Sequence, residues 1–407
     1  MRRRFRRGGA PITRNHAQKG DHMCALALPV PTSASLDYRR FGRAIENVTK
    51  VVPRKATIPI LGAALITAVK GGVVVTGTDL DVQTSTFVPG RVSPDFKIMV
   101  DAHRLQPALA KVPFAQSLDF IRHDDHTVCM FGRTKLQLVP GDDVDQFPVF
   151  SRADGLKATN CRFTLDTSEL RKALDTVRFA ISTDATRYYL NGVFLKYDAD
   201  QERLMFVTTD GHRLAAYAVD PPAGCEAMHE AGAIIPAATV KEVLRLASRK
   251  DAPPVVDIAV SGDAVLFCLG DEQIESKLVD GSFPDYQRVF PANLDRRALF
   301  VTAALREAVD RVASVSDIKQ APIAIDIGRE VAELTCASEG FGIGSTDLPC
   351  LANEPFKVAF SATYLADILE RIAGQVSLEI NEAANGAGLF LDQKEPNVRF
   401  LLMPRRA

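Results

Sequence analysis

The sequence predicts an α+β protein of three similar domains, each an antiparallel sheet with a pair of helices packed on one face. Two helix patterns support this prediction, because each occurs three times and in the same order along the 407 residues. Short apolar or alternating stretches that end in turn residues, such as 71–80 and 203–211, predict the strands between the helices. The repeat is about 130 residues long, far more than the roughly 20 to 50 residues of a solenoid unit, so whole domains are repeated.

The first helix pattern has apolar residues at positions i, i+3, i+4 and i+7, which form the buried stripe of an amphipathic helix. It begins at Phe41, at Leu170 and at Leu305, and each copy has an acidic residue at i+5. A helix with one apolar stripe packs that stripe on a sheet and leaves its other face to solvent. We therefore expect one such helix near the start of each domain.

The second helix pattern reads apolar-x-Ala-x-x-apolar-x-x-x-Leu, with identical offsets in three copies that begin at Val100, Ile235 and Phe360. Each copy follows the first pattern by about 55 to 65 residues and predicts the second helix of a domain. The domain limits must fall between successive pairs of helices. The predicted division is a basic N-terminal extension, expected to be disordered, and three domains, at 1–35, 36–155, 160–290 and 298–407.

The formal net charge is −1, but the basic residues are unevenly placed. Residues 1–22 hold seven Arg and Lys against one Asp, which leaves 42 basic and 49 acidic residues for the rest of the chain. The extension could be a DNA-binding arm, a disordered tail, or the product of an upstream start with Met23 as the true initiator. It has no apolar core of the kind that signal peptides contain, so secretion is not expected.

Cysteine usage and hydropathy favour a cytoplasmic protein. The seven cysteines are scattered, odd in number and never in a C-x-x-C pair, which argues against a disulfide framework and against a structural zinc site. The chain contains no run of eighteen apolar residues, so no membrane span is expected. We predict a cytoplasmic, nucleoid-associated protein that needs neither a cofactor nor a metal.

Basic residues occur in all six predicted helices, although the body of the chain is acidic. Arg and Lys on helices that face a central hole would offset phosphate charge without reading base sequence. A solvated helix face explains any one of these residues at least as well, so only the set favours nucleic acid. The helix residues predicted to contact DNA are Arg43, Lys50, Arg171, Lys172, Lys241 and Arg245.

One segment, TTDGHRLA at 208–215, resembles the bacterial DNA polymerase III β subunit, the DNA sliding clamp family. Other stretches match that family in the same order, namely ATIPILG at 56–62, TGTDLDV at 76–82, GRTKLQL at 132–138, TRYYLNG at 186–192, KLVDGSFPDYQRVFP at 277–291 and the terminal LLMPRRA. The resemblance runs from residue 36 to the end of the chain. It implies the clamp fold, in which two chains of three domains form a ring around duplex DNA. A clamp loader loads that ring, which then holds the replicative polymerase on the DNA.

The resemblance also implies a pocket between the second and third domains that binds a short linear peptide of a partner. Apolar side chains and an adaptable methionine suit that use, because a few buried anchors dominate the binding of short peptides. The expected partners are the polymerase α subunit, the clamp loader and other proteins that carry a clamp-binding motif. The wall of the pocket would consist of Leu190, Thr209, Gly211, His212, Arg213, Leu214, Pro284, Arg288, Val289, Leu401, Met403, Pro404 and Arg406.

Two further sets of residues follow from the resemblance. DNA contacts are expected from the loop before TIPIL and from the arm before YYLNG, at Arg54, Lys55, Arg187, Tyr188 and Tyr189. The ring would close where the GRTKLQL strand of one chain meets the first helix of the third domain of the other, with burial of Leu136, Leu138 and Val315. A polar Ser314 beside this contact and a more basic C-terminus keep a specialised or degenerate paralogue as an alternative.

Enzymatic function is the main alternative class, and the residues give it little support. Asp210 and His212 lack a nucleophile and an orienting partner at a defined spacing, and Asp210 is expected to form a turn. His123 and His126 lie between two alternating stretches, which favours a hairpin turn over a metal site. No G-x-x-x-x-G-K-[ST] loop occurs, so ring loading would use the ATP of another protein. A DNA-binding protein that does not encircle its substrate is the remaining alternative.

Overall fold

Six α-helices account for both repeated patterns within the residues that the computed structural model describes, which are 32–112, 117–123, 125–139, 143–150, 159, 161–318, 320–381 and 386–405. Each repeat contributes two of these helices. They are α1 (Tyr38–Val51) and α2 (Ala102–Ala110), α3 (Thr167–Val177) and α4 (Ala237–Ala247), and α5 (Thr302–Ala313) and α6 (Ala362–Leu369). The predicted pairing is confirmed, because α1 packs on α2, α3 on α4 and α5 on α6.

The apolar stripe of the first helix is buried, as its spacing predicts. Phe41, Ala44, Ile45 and Val48 of α1 are all inaccessible to solvent. Burial of large apolar side chains of this kind contributes about 1.5 to 3 kcal/mol each, which holds the helix on the sheet. None of the helices in the described ranges is long and apolar enough to cross a membrane.

As far as the structure describes the chain, each repeat has one strand before its first helix, three strands after its second helix and, between the helices, four strands in the first two repeats and five in the third. The first repeat contains β1 (Ser33–Asp37), β2 (Ala63–Val69), β3 (Gly72–Thr78), β4 (Val82–Val92), β5 (Lys97–Asp101), β6 (Ser117–Arg122), β7 (Thr127–Phe131) and β8 (Thr134–Leu138). The second contains β9 (Arg162–Asp166), β10 (Gly192–Asp198), β11 (Arg203–Thr209), β12 (Arg213–Val219), β13 (Ala233–Pro236), β14 (Val255–Val260), β15 (Ala264–Leu269) and β16 (Glu272–Lys277). The third contains β17 (Arg296–Val301), β18 (Pro322–Ile327), β19 (Val331–Ser338), β20 (Gly342–Pro349), β21 (Leu351–Ala352), β22 (Phe356–Ser361), β23 (Gln375–Ile380), β24 (Gly388–Asp392) and β25 (Val398–Leu402).

Strand pairing joins the repeats into continuous antiparallel sheets. A twelve-stranded sheet runs β8-β7-β6-β1-β4-β16-β15-β14-β9, with β2, β3 and β5 branching from it, and the pairing of β4 with β16 joins the first repeat to the second. A nine-stranded sheet runs β13-β10-β11-β12-β25-β24-β23-β17-β21, and the pairing of β12 with β25 joins the second repeat to the third. A four-stranded sheet, β20-β19-β18-β22, belongs to the third repeat alone.

The segment with His123 and His126 is a hairpin turn between β6 and β7, as predicted. The backbone N–H of His123 donates to the carbonyl of His126 at 2.8 Å, and the two rings stack with 4.6 Å between their centroids. Across the described ranges, no group of three or more His, Cys, Asp or Glu side chains is arranged to hold a metal ion.

Candidate functional site

The turn between β11 and β12 is built by its own side chains. The Asp210 carboxylate accepts hydrogen bonds from the backbone N–H groups of His212 and Arg213, at 2.9 and 3.0 Å. The Thr209 hydroxyl accepts a hydrogen bond from the N–H of Gly211 at 3.1 Å. Asp210 is therefore a turn-forming residue, as the sequence predicted.

Glycine suits the tip of this turn. The φ of Gly211 is +88°, in the left-handed region that residues with a side chain rarely adopt. A Cβ built on Gly211 would lie 2.6 Å from Nη1 of Arg187. The Arg187 side chain therefore rests against the tip of the turn and brings the arm before β10 next to it.

The C-terminal tail lies alongside the same turn. In the pairing of β12 with β25, Leu214 stands opposite Leu401. Just beyond β25, the N–H of Met403 donates to the carbonyl of His212 at 2.9 Å. The turn of the second repeat and the tail of the third are thus held together by backbone hydrogen bonds.

The predicted pocket residues divide into a buried and an accessible group. Leu190, Leu214 and Leu401 are buried, and the last two share an apolar cluster with Tyr286 of the linker after β16. The exposed residues, which are free to meet a ligand, are Gly211, His212, Pro284, Arg288, Val289 and Met403, while Thr209, Arg213 and Pro404 are half-buried. Arg406 lies outside the described residues.

Aromatic rings fix the linker against this cluster. Phe283 stacks on Phe194 with 4.5 Å between the ring centroids and 2° between the ring planes. Tyr286 packs edge-on against Phe194, and burial raises the pKa of the Tyr286 hydroxyl to about 12. The structure therefore brings the three predicted segments of the pocket, which are the turn, the tail and the linker, to one apolar cluster.

Two aromatic residues that the sequence did not single out belong to the same region. The Tyr364 ring of α6 stacks on the His212 ring with 5.9 Å between centroids. The Arg213 guanidinium lies 4.5 Å from the centroid of Tyr364 and 5.0 Å from that of Phe179. No local pattern marks either ring: the Phe179 contact joins residues 34 positions apart in the second repeat, and the Tyr364 contacts form only when the third repeat packs against the second.

Four of the six helix residues predicted to contact DNA line one hollow between α3 and α4. They are Arg171, Lys172, Lys241 and Arg245. The two carboxylates in the hollow have other partners, since Asp175 is 2.7 Å from Arg178 and Glu169 accepts from the Tyr217 hydroxyl at 2.9 Å. Arg171 and Lys241 are exposed and have no carboxylate partner among the residues the structure describes. Such cations suit phosphate groups, which are bound by charge and not by base sequence.

Three of the six helix cations predicted to contact DNA are paired with carboxylates. The pairs are Arg43 with Asp251, Lys172 with Glu395, and Arg245 with Glu242. Arg245 also donates to the side chain of Asn47 in α1 at 3.2 Å, so it links the second repeat to the first. Lys50 and the loop residues Arg54 and Lys55 are exposed. The sequence therefore identified the helices that carry positive charge, but not which of their cations form ion pairs.

The arm before β10 is held by a carboxylate. Asp184 accepts hydrogen bonds from Thr186 and, at 3.0 Å, from Nε of Arg187. These hydrogen bonds, first those of Thr186 and then that of Arg187, lower the pKa of Asp184 to about 2. Tyr188 is 54% exposed, and its ring packs edge-on against Tyr189. Of the arm residues predicted to contact DNA, Tyr188 is thus the most open, while Arg187 is partly neutralised.

Comparison with known proteins identifies the family. The chain matches the N-terminal domain of the DNA polymerase III beta subunit over residues 35–151, its central domain over 164–285 and its C-terminal domain over 287–406. The chain belongs to the DNA polymerase III beta subunit family. It is 35% identical to the beta sliding clamp of Caulobacter vibrioides over 373 residues, a match that covers 89% of this chain and 97% of that protein.

Solved structures of the family have the same fold. The crystal structure of a DnaN sliding clamp from Bartonella birtlesii bound to griselimycin matches with a TM-score of 0.84 at 31% identity, covering 93% of this chain and 100% of that one. The structure of Caulobacter crescentus pol III beta matches with a TM-score of 0.84 at 32% identity, covering 92% of this chain and 100% of that one. The predicted fold class, three clamp-type domains of antiparallel sheet and paired helices, is confirmed.

The turn formed by the TTDGHRLA segment at 208–215 has a counterpart in the first repeat. Between β3 and β4, the Asp79 carboxylate accepts from the N–H groups of Asp81 and Val82 at 2.9 and 2.8 Å, as Asp210 does between β11 and β12. Leu80 takes the position of Gly211 and has a φ of 78°. The same hydrogen-bonded turn therefore occurs at both junctions between repeats.

The side chains at the two junctions differ. At the junction of the second and third repeats, Leu214 faces Leu401. At the equivalent positions of the junction between the first and second repeats, Gln83 faces Glu275. Beside that pair, Asp81 and Lys277 form an ion pair at 2.9 Å. An apolar peptide anchor at the first junction would desolvate the exposed charges of Asp81 and Lys277, which is costly, whereas the second junction has leucines at its facing positions.

Strands β8 and β20 are outermost in their sheets within the described part of the chain, so each presents an unpaired edge. Leu136 and Leu138 of β8 are half-buried against the core of the first repeat. Val315 follows α5 and is half-buried against the core of the third repeat. Phe341, just before β20, and Ile343, at its start, are 77% and 76% exposed. The residues predicted for ring closure thus lie near two sheet edges that are available to another chain.

Proposed function

We propose that two copies of this chain close into a ring around duplex DNA and tether a DNA polymerase to it, without reading base sequence and without catalysing a reaction. The observation that carries the proposal is the predicted pocket along the pairing of β12 with β25, which we call the docking seam. There Leu214 and Leu401 are buried beneath accessible residues of the turn, the tail and the linker. A seam of this kind can hold a partner while the basic helices face the DNA. We propose domain limits of 36–155, 160–290 and 298–407 after a basic extension at 1–35, although β1 and β17 begin slightly before these limits, at Ser33 and Arg296.

Ring closure in this proposal joins β8 of one copy to β20 of the other, at two equivalent places. An unpaired edge strand presents free N–H and C=O groups that pair readily with another strand. A head-to-tail contact between copies closes a ring when the rotation allows it. Leu136 and Leu138 of one copy then pack near Val315 and the exposed Phe341 of its partner.

The DNA in this proposal passes through the hole lined by the six helices of each copy. Arg171 and Lys241 approach phosphates from the hollow between α3 and α4, and Lys50 does so from the end of α1. Arg54 and Lys55 contribute from the loop before β2, and the arm before β10 contributes through Tyr188. Charge attraction of this kind is independent of sequence and weakens as salt rises, which suits a ring that slides.

The partners in this proposal carry a short peptide that docks on the seam. They are the polymerase α subunit, the clamp loader and other proteins with a clamp-binding motif, and they compete for one site. We propose griselimycin, which the Bartonella birtlesii relative binds, as a ligand of the same seam in this chain. Met403 and Val289, 42% and 44% exposed, lose their contact with water on binding, which is the favourable term for an apolar anchor. We place this activity in the cytoplasm, on the nucleoid.

Retention on DNA tests encirclement. The full chain is loaded onto a nicked circular plasmid by a bacterial clamp loader with ATP, and the plasmid is then linearised with a restriction enzyme. We expect gel filtration to show the protein on the circular plasmid and to show its release from the linear one. Equal retention on both forms would favour a DNA-binding protein that does not encircle its substrate. A chain that light scattering shows as a monomer at every concentration would favour a degenerate paralogue.

A further inference from the structure

The polar contacts behind the proposed docking seam converge on Arg213. Only 11% of its side chain is exposed, although the turn residues just before it are open to solvent. Its Nε lies 3.1 Å from Asp210, its Nη2 donates to the carbonyl of Phe179 at 2.9 Å, and its Nη1 pairs with Asp367 of α6. A guanidinium has five N–H donors and no acceptor, so these partners use most of its capacity.

The same guanidinium supports an aromatic stack. It lies 4.5 Å from the centroid of the Tyr364 ring, and that ring stacks on His212 with 21° between the ring planes. The carbonyl of His212 in turn accepts the N–H of Met403. Arg213 therefore supports, through Tyr364, two of the accessible residues of the docking seam.

The equivalent turn of the first repeat forms without an arginine. Val82 takes the position of Arg213 there, and the turn still forms, with the N–H of Val82 donating to Asp79 at 2.8 Å. What Arg213 adds lies on α6, because Asp367 and Tyr364 both belong to that helix of the third repeat. The arginine is therefore a link between repeats.

We propose that Arg213 is a positioning residue for peptide docking: with Asp367 it fixes the third repeat against the turn and holds Tyr364 and His212 in place, without touching the peptide. This inference rests on the docking function proposed above. A ligand that contacts both repeats needs them in one relative orientation, and energy spent on restoring that orientation lowers its affinity. Loss of Asp367 should therefore weaken docking, although Asp367 itself meets Arg213 and not the seam.

The test is a calorimetric titration of griselimycin into the full chain and its Arg213→Lys, Asp367→Asn and doubly substituted variants. We expect each single substitution to raise Kd by about three- to thirtyfold, the range found for residues that couple to a site without contacting the ligand. The double variant should bind no more weakly than the worse single variant, because both changes break one link. Glu395→Gln is the matched control: it removes another ion pair between the second and third repeats, with Lys172 at 2.7 Å, and should leave Kd within about twofold.

Asp367→Glu provides a second readout if thermal unfolding shows that Asp367→Asn does not fold. It keeps the charge, moves the carboxylate by one methylene and should weaken binding in the same direction. A weakened Arg213→Lys beside unchanged Asp367 variants would overturn the proposal and make Arg213 a direct contact. Additive losses, or an equal loss in Glu395→Gln, would overturn it as well. A wild-type chain that does not bind griselimycin would refute the docking function itself, and the inference with it.

Discussion

Arg249 donates a hydrogen bond to the side-chain carbonyl of Asn47, 2.5 Å away, and so ties the second repeat to a helix of the first. Asn47 is completely buried. Its amide group donates to Thr86 at 3.2 Å and to Glu272 at 3.0 Å, and its carbonyl also accepts from Arg245 at 3.2 Å. One asparagine therefore satisfies polar groups from both repeats, and a buried network of this kind is costly to break.

Asn47→Ala should lower the free energy of unfolding. It deprives the Arg245 and Arg249 side chains of their shared acceptor, and an unsatisfied buried polar group costs about 1 to 3 kcal/mol, or more when it is charged. Urea unfolding followed by circular dichroism measures the change. Thr49→Ala on the same helix is the control, because among the described residues that hydroxyl bonds only to the carbonyl of Glu46, and it should stay within about 0.5 kcal/mol of wild type. Equal losses in the two variants would contradict the role of Asn47 at the junction.

The burial of Asn47 could not be predicted from the sequence of α1. Its neighbours Ile45 and Val48 belong to the apolar stripe of α1 and were predicted to be buried, but an asparagine between them is expected on the solvent side. It is buried because Arg245 and Arg249 of the second repeat meet it. Those partners are brought there by the pairing of β4 with β16, which no local pattern specifies. The prediction of Arg245 as a DNA contact overlooked this junction for the same reason.

The candidate site likewise has a part that local sequence predicts and a part that depends on contacts between repeats. The turn at 209–214 was predictable, because its hydrogen bonds join residues at most four positions apart and involve residue types that favour turns. Tyr364 and Asp367 were not, although the helix that carries them was predicted. The apolar spacing of α6 indicates which side faces the core of its own repeat. It contains no information on the side that faces a neighbouring repeat.

Gly211→Ala should weaken griselimycin binding and destabilise the chain. A left-handed φ costs a residue with a side chain about 1 to 2 kcal/mol, and the new Cβ would lie 2.6 Å from the Arg187 side chain. Gly340→Ala is the matched control, because Gly340 has a φ of +92° but nothing within 4 Å of its Cβ position. Thermal unfolding should show a loss in both variants, whereas calorimetry should show weaker binding only in Gly211→Ala. Unchanged binding in both would remove the tip of the turn from the docking surface.

Arg171→Gln combined with Lys241→Gln should lower the affinity for a short duplex and flatten its salt dependence. Each lost phosphate contact reduces the slope of log K against log salt by about 0.9. Fluorescence anisotropy at a series of salt concentrations gives both quantities. Arg329→Gln combined with Lys357→Gln removes the same charge from exposed positions in the third repeat and serves as control. The same change in both double variants would show an effect of net charge and not of the hollow between α3 and α4.

Asp184 should titrate well below an ordinary aspartate. Its folded-state pKa is about 2, below the ordinary 3.8, because of hydrogen bonds from Thr186 and Arg187. A depressed pKa means that these bonds stabilise the arm above the unfolded-state pKa and lose that effect as pH falls through the folded-state value. The arm before β10 should therefore keep one geometry from neutral pH down to about pH 4. The carboxyl carbon shift of Asp184 in NMR reports the midpoint, and a midpoint at or above 3.8 would contradict the arrangement.

Leu136→Glu combined with Leu138→Glu should convert a dimeric chain into a monomer. Charged side chains on an edge strand oppose pairing with another strand, and the two leucines lie on one face of β8 because side chains alternate along a strand. Gln137→Glu combined with Lys135→Gln changes the net charge equally from the opposite face and should leave the dimer intact. Light scattering at several concentrations gives the molar mass. Thermal unfolding checks that the chain still folds after the half-buried leucines are replaced. If the double-glutamate variant is a dimer at the same concentrations as wild type, β8 is excluded from the ring contact. A partner strand that paired with β8 would have to bury both carboxylates, which would dissociate the dimer.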